Sequence, residues 1–100
     1  MPLDEVYKAL SDPTRRQILV LLRKRDMTAG ELAEEFELAK PTLSGHFAVL
    51  KAAGLIDGDK NGTTITYRLN VSVLEEALLG LMNAFDFGAS PRAARRKATP

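Results

Sequence analysis

Lys40, Thr42, Ser44 and His46 lie within seven residues of one another, and none falls on the apolar stripe running through them. That stripe is Leu43, Phe47 and Leu50, spaced i, i+4, i+7 as on one face of a helix. The groups left on the other faces suit contact with a polyanion, not catalysis. Lys40, beside Pro41 at the helix start, can neutralise a phosphate. Thr42 and Ser44 offer hydroxyls to phosphate oxygens or base edges. Gly45 costs about 1 kcal/mol of helix stability relative to Ala. It is either a point where the backbone must approach DNA closely or a neutral substitution. His46 is the only histidine: either a donor to base or phosphate, or a half-buried residue bonded within the domain. One histidine with no cysteine cannot make a metal site, so no metal is expected. Lys51 near the helix end, and Lys60 with Asn61 further on, are the remaining phosphate candidates, tempered by Asp57 and Asp59.

The elements that position these groups are legible around them. Gly54 stands where a helix C-terminus takes its left-handed residue. Asn61-Gly62 is the preferred pair for a type I′ turn, and Thr63, Ile65, Tyr67 and Leu69 alternate with Thr64, Thr66 and Arg68 as a strand. Arg68, opposite in facing to Tyr67, is read as a solvated sheet residue. Upstream, Thr28-Ala-Gly-Glu31 is a capping box that opens a helix striped by Leu32, Ala33 and Phe36. Two short helices a few residues apart, the second with small polar residues near its start, have helix-turn-helix geometry. Ala39 is a poor N-cap for the second. Asp12 and Pro13 form the N-cap and first position of an earlier helix reaching about Lys24. Arg15 and Arg16 sit in its first turn, the unfavourable end for cations. They are read as solvated, paired with nearby acids, or touching phosphate or a partner subunit.

Two outer helices complete the chain. Residues 3–10 place Leu3, Val6, Tyr7 and Leu10 on one face. Ser72-Val-Leu-Glu75 reads as a second capping box, opening a helix to about Phe87 that carries Leu74, Leu78, Leu81, Met82 and Phe85. With Val73 and Ala77 beside it, this stripe is wider than one neighbour needs, which predicts that it covers the domain on one side and a symmetry mate on the other. The expected class is therefore mainly α: about five helices plus a two-stranded antiparallel wing, a winged helix-turn-helix that forms a homodimer. Residues 1–87 form the domain, and 88–100 are a basic tail that has lost apolar periodicity. That tail is either an arm adding phosphate contacts or a solubilising segment.

Composition narrows the function. One hundred residues make one domain. The absence of cysteine removes disulfides and thiolate chemistry and fits a reducing compartment. No apolar run approaches a membrane span, and the first residues lack a signal peptide's pattern, so a cytoplasmic chain with no membrane partner is expected. Net charge is only +1, and Arg92, Arg95, Arg96 and Lys97 lie in the tail, so the other residues sum to −3. A DNA reading must then rest on where charge is placed. An enzyme is not expected, since there is no nucleophile–base set, phosphate-cradling loop or inward carboxylate pair.

Ser11-Asp-Pro-Thr-Arg-Arg-Gln-Ile-Leu19, Met27 to Ala33, Lys40 to Phe47, Leu50 to Ile56 and Gly62 to Leu69 together resemble the ArsR-type winged-helix repressors. Within that family the chain is most similar to the small autorepressors of the sporulation-delay (SdpR) type. The resemblance spans roughly residues 5–85. It implies a homodimer joined through the first and last helices, which makes Leu3, Val6, Tyr7, Leu74, Leu78, Leu81, Met82 and Phe85 the expected dimer interface. It also implies a pair of recognition helices in successive major grooves of a palindromic operator, with the wings on flanking backbone. Metal- and thiol-sensing members use cysteines or Asp/His sets that have no counterpart here. Any switch is expected to be a protein partner, a small molecule or dosage, with no cofactor. The competing class is a winged-helix protein-interaction module that does not bind DNA specifically.

Overall fold

The computed structural model describes residues 3–87. The basic tail therefore lies outside the described residues. The chain runs α1 (Leu3–Leu10), α2 (Pro13–Lys24), β1 (Met27–Thr28), α3 (Ala29–Glu35), α4 (Lys40–Ala52), β2 (Ile56–Asn61), β3 (Thr64–Leu69) and α5 (Val71–Ala84). Five helices and a hairpin match the expected winged helix-turn-helix. The sheet has one strand more than expected, ordered β1-β3-β2, because Met27 pairs with Tyr67 and Thr28 with Thr66. Two residues are too short to leave a periodic signal; only their burial and pairing define them.

Local chemistry sets the helix ends. Asp12 caps α2, its Oδ2 accepting from the Arg15 backbone N–H at 3.0 Å, with Pro13 at the first helical position. Thr28 and Glu31 form the capping box of α3: Glu31 N donates to Thr28 Oγ1 at 3.0 Å, and Thr28 N to Glu31 Oε1 at 2.9 Å. These backbone donors are the leading reason that both carboxyls titrate below their ordinary values. A lowered folded pKa stabilises the fold above the unfolded carboxyl's pKa of about 4, and that stabilisation disappears as pH falls through the lower folded value. Asp12→Asn with Glu31→Gln is thus expected to flatten the acid limb of the melting temperature between about pH 5 and pH 3. An unchanged limb, followed by circular dichroism, would assign the acid sensitivity to other groups.

The end of α4 is a Schellman motif. Gly54 takes φ +78°, its N–H donates to Lys51 O at 2.9 Å, and Leu55 N–H donates to Leu50 O at 3.0 Å. Leu50 and Leu55, the apolar pair of that motif, are both fully buried. In the wing, Asn61 pairs with Thr64, so the turn residues are Gly62 and Thr63. Gly62 has φ +67° and Thr63 does not share the left-handed region, the pattern of a type II′ turn and not the expected type I′ Asn61-Gly62 turn. Asn61 is instead the exposed last residue of β2.

The last helix starts earlier and ends sooner than its sequence suggested. Asn70 is the N-cap position of α5, and Ser72 lies inside the helix. The Asn70 side chain makes no cap bond; its Nδ2 donates to Gly54 O at 2.8 Å, while Asn70 N donates to Leu55 O at 2.9 Å. The Asn70 side chain thus ties the start of α5 to the turn after α4, and the Ser-x-x-Glu pattern does not mark the helix start. At the other end Asp86 takes φ +64° and Phe87 N bonds Met82 O at 2.7 Å, a second Schellman closure that stops the helix before Phe87.

The core gathers residues from every element, with Ile18, Leu32, Leu50, Leu55, Ile56 and Val6 fully enclosed. Val6 is therefore removed from the expected dimer face: at 0 % exposure it is covered by its own domain. Three-residue spacing placed it with Leu3, but α1 turns that side inward. Only Ala77 of α5 is buried, so most of that helix's apolar stripe points away from the core.

Candidate nucleic-acid interface

Helix α4 divides its residues cleanly. Leu43, Phe47 and Leu50 are buried, whereas Lys40, Pro41, Thr42, Ser44, Gly45, Ala48 and Lys51 are exposed. Phe47 anchors the helix against the wing, its ring centroid 4.7 Å from that of Tyr67. Burial also raises the Tyr67 hydroxyl's pKa, so it stays a neutral phenol. Ser44, Ala48 and Lys51 line a shallow depression between α4 and Tyr67. The N-terminus of α4 has no side-chain cap, as Ala39 implied. Turn residues 36–39 separate α3 from α4, which completes the helix-turn-helix.

His46 stands apart from these exposed neighbours. Its side chain is 16 % exposed, and Nδ1 lies 3.2 Å from Arg15 Nη1. A guanidinium can only donate, so Nδ1 is the acceptor and the neutral ring carries its proton on Nε2. Of the two alternatives for His46, the bonded, half-buried one describes Nδ1. Asp12 Oδ2, at 3.9 Å, is beyond hydrogen-bond reach.

Arg15 and Arg16 do something the sequence did not reveal. Arg15 Nε donates to Ala9 O at 2.9 Å and Nη2 to Lys8 O at 3.0 Å, while Arg16 Nη1 donates to Leu10 O at 2.8 Å. Cations misplaced for their own helix dipole are well placed for the C-terminus of α1. The signal was present as basic residues following a short helix at turn distance, but the helix crossing that brings them there is tertiary.

On the wing, Lys60 and Asn61 are exposed near the hairpin tip. Asp57, opposite Arg68 in the ladder, lies 3.8 Å from its Nη2. Both side chains are about half exposed, so Arg68 is a solvated sheet residue with an acidic neighbour across the ladder. Across the molecule, Leu3, Leu78, Leu81, Met82 and Phe85 are 39–62 % exposed. Tyr7 and Leu74 are partly buried against the core. Leu79 and Phe87, both exposed, extend this apolar surface beyond the expected set. Among the described residues no three His, Cys, Asp or Glu side chains converge as a metal site would require, and no helix is long and apolar enough to cross a membrane.

Gly45 has room. A Cβ built there would meet nothing within 4 Å, so the domain's own packing does not require glycine. Gly45→Ala is expected to stabilise the fold by about 1 kcal/mol, raising the melting temperature by about 4–8 °C. A fall on calorimetry would reveal a conformational need not visible in the packing.

A helix-turn-helix with its second helix half exposed, backed by a wing, is the arrangement of DNA-binding regulators. Residues 12–57 match the family described as bacterial regulatory protein, arsR family. The chain is 44 % identical over 86 residues to the transcriptional repressor SdpR of Bacillus subtilis, covering 86 % of this chain and 96 % of that one. An ArsR-like transcriptional regulator from Rhodococcus sp. RHA1 superposes with a TM-score of 0.76 at 30 % identity, over 97 % of this chain and 92 % of that one. The homodimeric winged helix-turn-helix DNA-binding domain Mb0332 of Mycobacterium bovis gives 0.67 at 28 % identity, over 83 % and 78 %. The chain belongs to the arsR family of bacterial regulatory proteins, and its function is DNA-binding transcriptional regulation.

Proposed function

We propose that two copies of this chain form a cytoplasmic repressor that reads a palindromic operator, one α4 per major groove. The observation that carries this reading is the division of α4: Lys40, Thr42, Ser44, Gly45 and Lys51 are free on the outer side while three buried residues hold the inner side. In this reading Lys40 and Lys51 neutralise phosphates, Thr42 and Ser44 reach base edges or backbone, and Lys60 with Asn61 touch flanking phosphate from the wing. Pro41 starts the helix, and Gly45 allows the backbone to come close. His46 contributes through Nε2, its other nitrogen being engaged. The dimer forms through Leu3 and the exposed face of α5, supported by that face's apolar surface and by the homodimeric relative Mb0332.

The test is fluorescence anisotropy on the protein's own upstream DNA against a scrambled duplex, over a range of salt. Preference for the upstream duplex is expected, with a linear fall of log affinity against log salt. Lys40→Ala, present twice in a dimer, should weaken binding and reduce that slope by about two. Equal binding to both duplexes would overturn sequence-specific reading.

A further inference from the structure

A cleft of about 410 Å³ opens between α1, α2, β3 and α5. Its walls come from four elements: Leu10 of α1, Leu19 and Val20 of α2, Leu69 of β3 and Leu74 of α5. The size and the apolar lining match a small-molecule site. Arg16, Arg23 and Lys24 also line it, and no carboxylate does. Long basic side chains lay their stems along apolar surface and keep their charges in water, so three cations rim an oily floor. None of the three forms an ion pair among the described residues.

We infer that this cleft binds an amphipathic organic anion, a carboxylate with a medium-length apolar body. The apolar body fills the floor between Leu19, Leu69 and Leu74, and the carboxylate meets the basic rim. A neutral alkyl ligand leaves the rim's charge unmatched, and a small anion leaves the floor wet. The site itself is independent of DNA reading; its use as an effector site, joining α1 and α5 to the wing strand β3, rests on the operator proposal above.

The probe is octanoate, with 1-octanol and acetate as controls, titrated into the full chain while the methyl signals of Leu19, Val20, Leu69 and Leu74 are followed by NMR. Saturable shifts with a dissociation constant on the order of 0.1 mM are expected for octanoate. 1-Octanol should bind at least about fivefold more weakly, and acetate should leave these methyls unmoved. Arg23→Gln with Lys24→Gln should weaken octanoate about fivefold while keeping operator affinity. Val20→Glu, which places an acid at the mouth, should remove octanoate binding while the fold persists. Equal binding of 1-octanol, unchanged binding by the double variant, or shifts confined to Leu81 and Met82 would overturn the inference. So would shifts of Val20 and Leu74 that follow protein concentration and ignore octanoate, since a second copy would then be the occupant. Octanoate binding in a protein that fails on the operator duplex would uphold the cleft and defeat only the DNA reading.

Discussion

Leu78→Glu is expected to yield a folded monomer whose operator affinity is at least about 100-fold below that of the original chain. Leu78 is 45 % exposed on α5, so the substitution opens no core cavity and the domain keeps its own packing. The loss falls on association. Two copies would face each other across an apolar surface that includes Leu81, Met82 and Phe85, and burying two carboxylates there without partners costs several kcal/mol. Each freed protomer presents one α4 to one half-site, and the gain from tethering the second contact disappears. Sedimentation and anisotropy on the same preparation read both effects. A dimeric Leu78→Glu protein, or an original chain that sediments as a monomer at micromolar concentration, would sink the α5 interface.

Arg15→Ala is expected to cost about 2–3 kcal/mol of folding stability. For a domain of this size that lowers the melting temperature by about 10–20 °C. One guanidinium serves three acceptors on two helices: Ala9 O, Lys8 O and His46 Nδ1. Its removal strips donors from the C-terminal carbonyls of an eight-residue helix that is too short to persist alone. Arg15→Lys should recover only a minor part, because an ammonium cannot reproduce the planar fork. A lysine variant that melts with the original chain would show that charge alone suffices. An alanine variant that does so would show that these bonds are not formed in solution.

How much of this was readable beforehand depended on whether a feature is local. The Asp12 cap, the Thr28–Glu31 box, the bare Ala39 and the left-handed Gly54 each involve groups within a few residues, and each is found where the pattern put it. The features that escaped are decided by distant partners. Strand β1 pairs Met27 with Tyr67, forty residues on, and α5 starts after Asn70, whose side chain and N–H reach back to Gly54 O and Leu55 O. Val6 was assigned outward because a period marks a face but not which neighbour covers it. The exposed side of α4 was legible for the same reason in reverse: the buried stripe Leu43, Phe47 and Leu50 left the other residues nowhere else to point.

The bond between Arg15 and His46 also separates the positions of α4 that can change freely from one that cannot. Positions 41, 42, 44, 45 and 48 are exposed on α4, so substitutions there disturb no core packing, and under the proposed operator contact they are the ones that could alter what is read. Position 46 lies among them in sequence but is tied to the end of α1 through the guanidinium. Under that proposal a change of operator would be easier through its neighbours, since replacing His46 gives up the bond to Arg15. The same division recommends those five positions, and not the sixth, for a library that seeks altered DNA specificity.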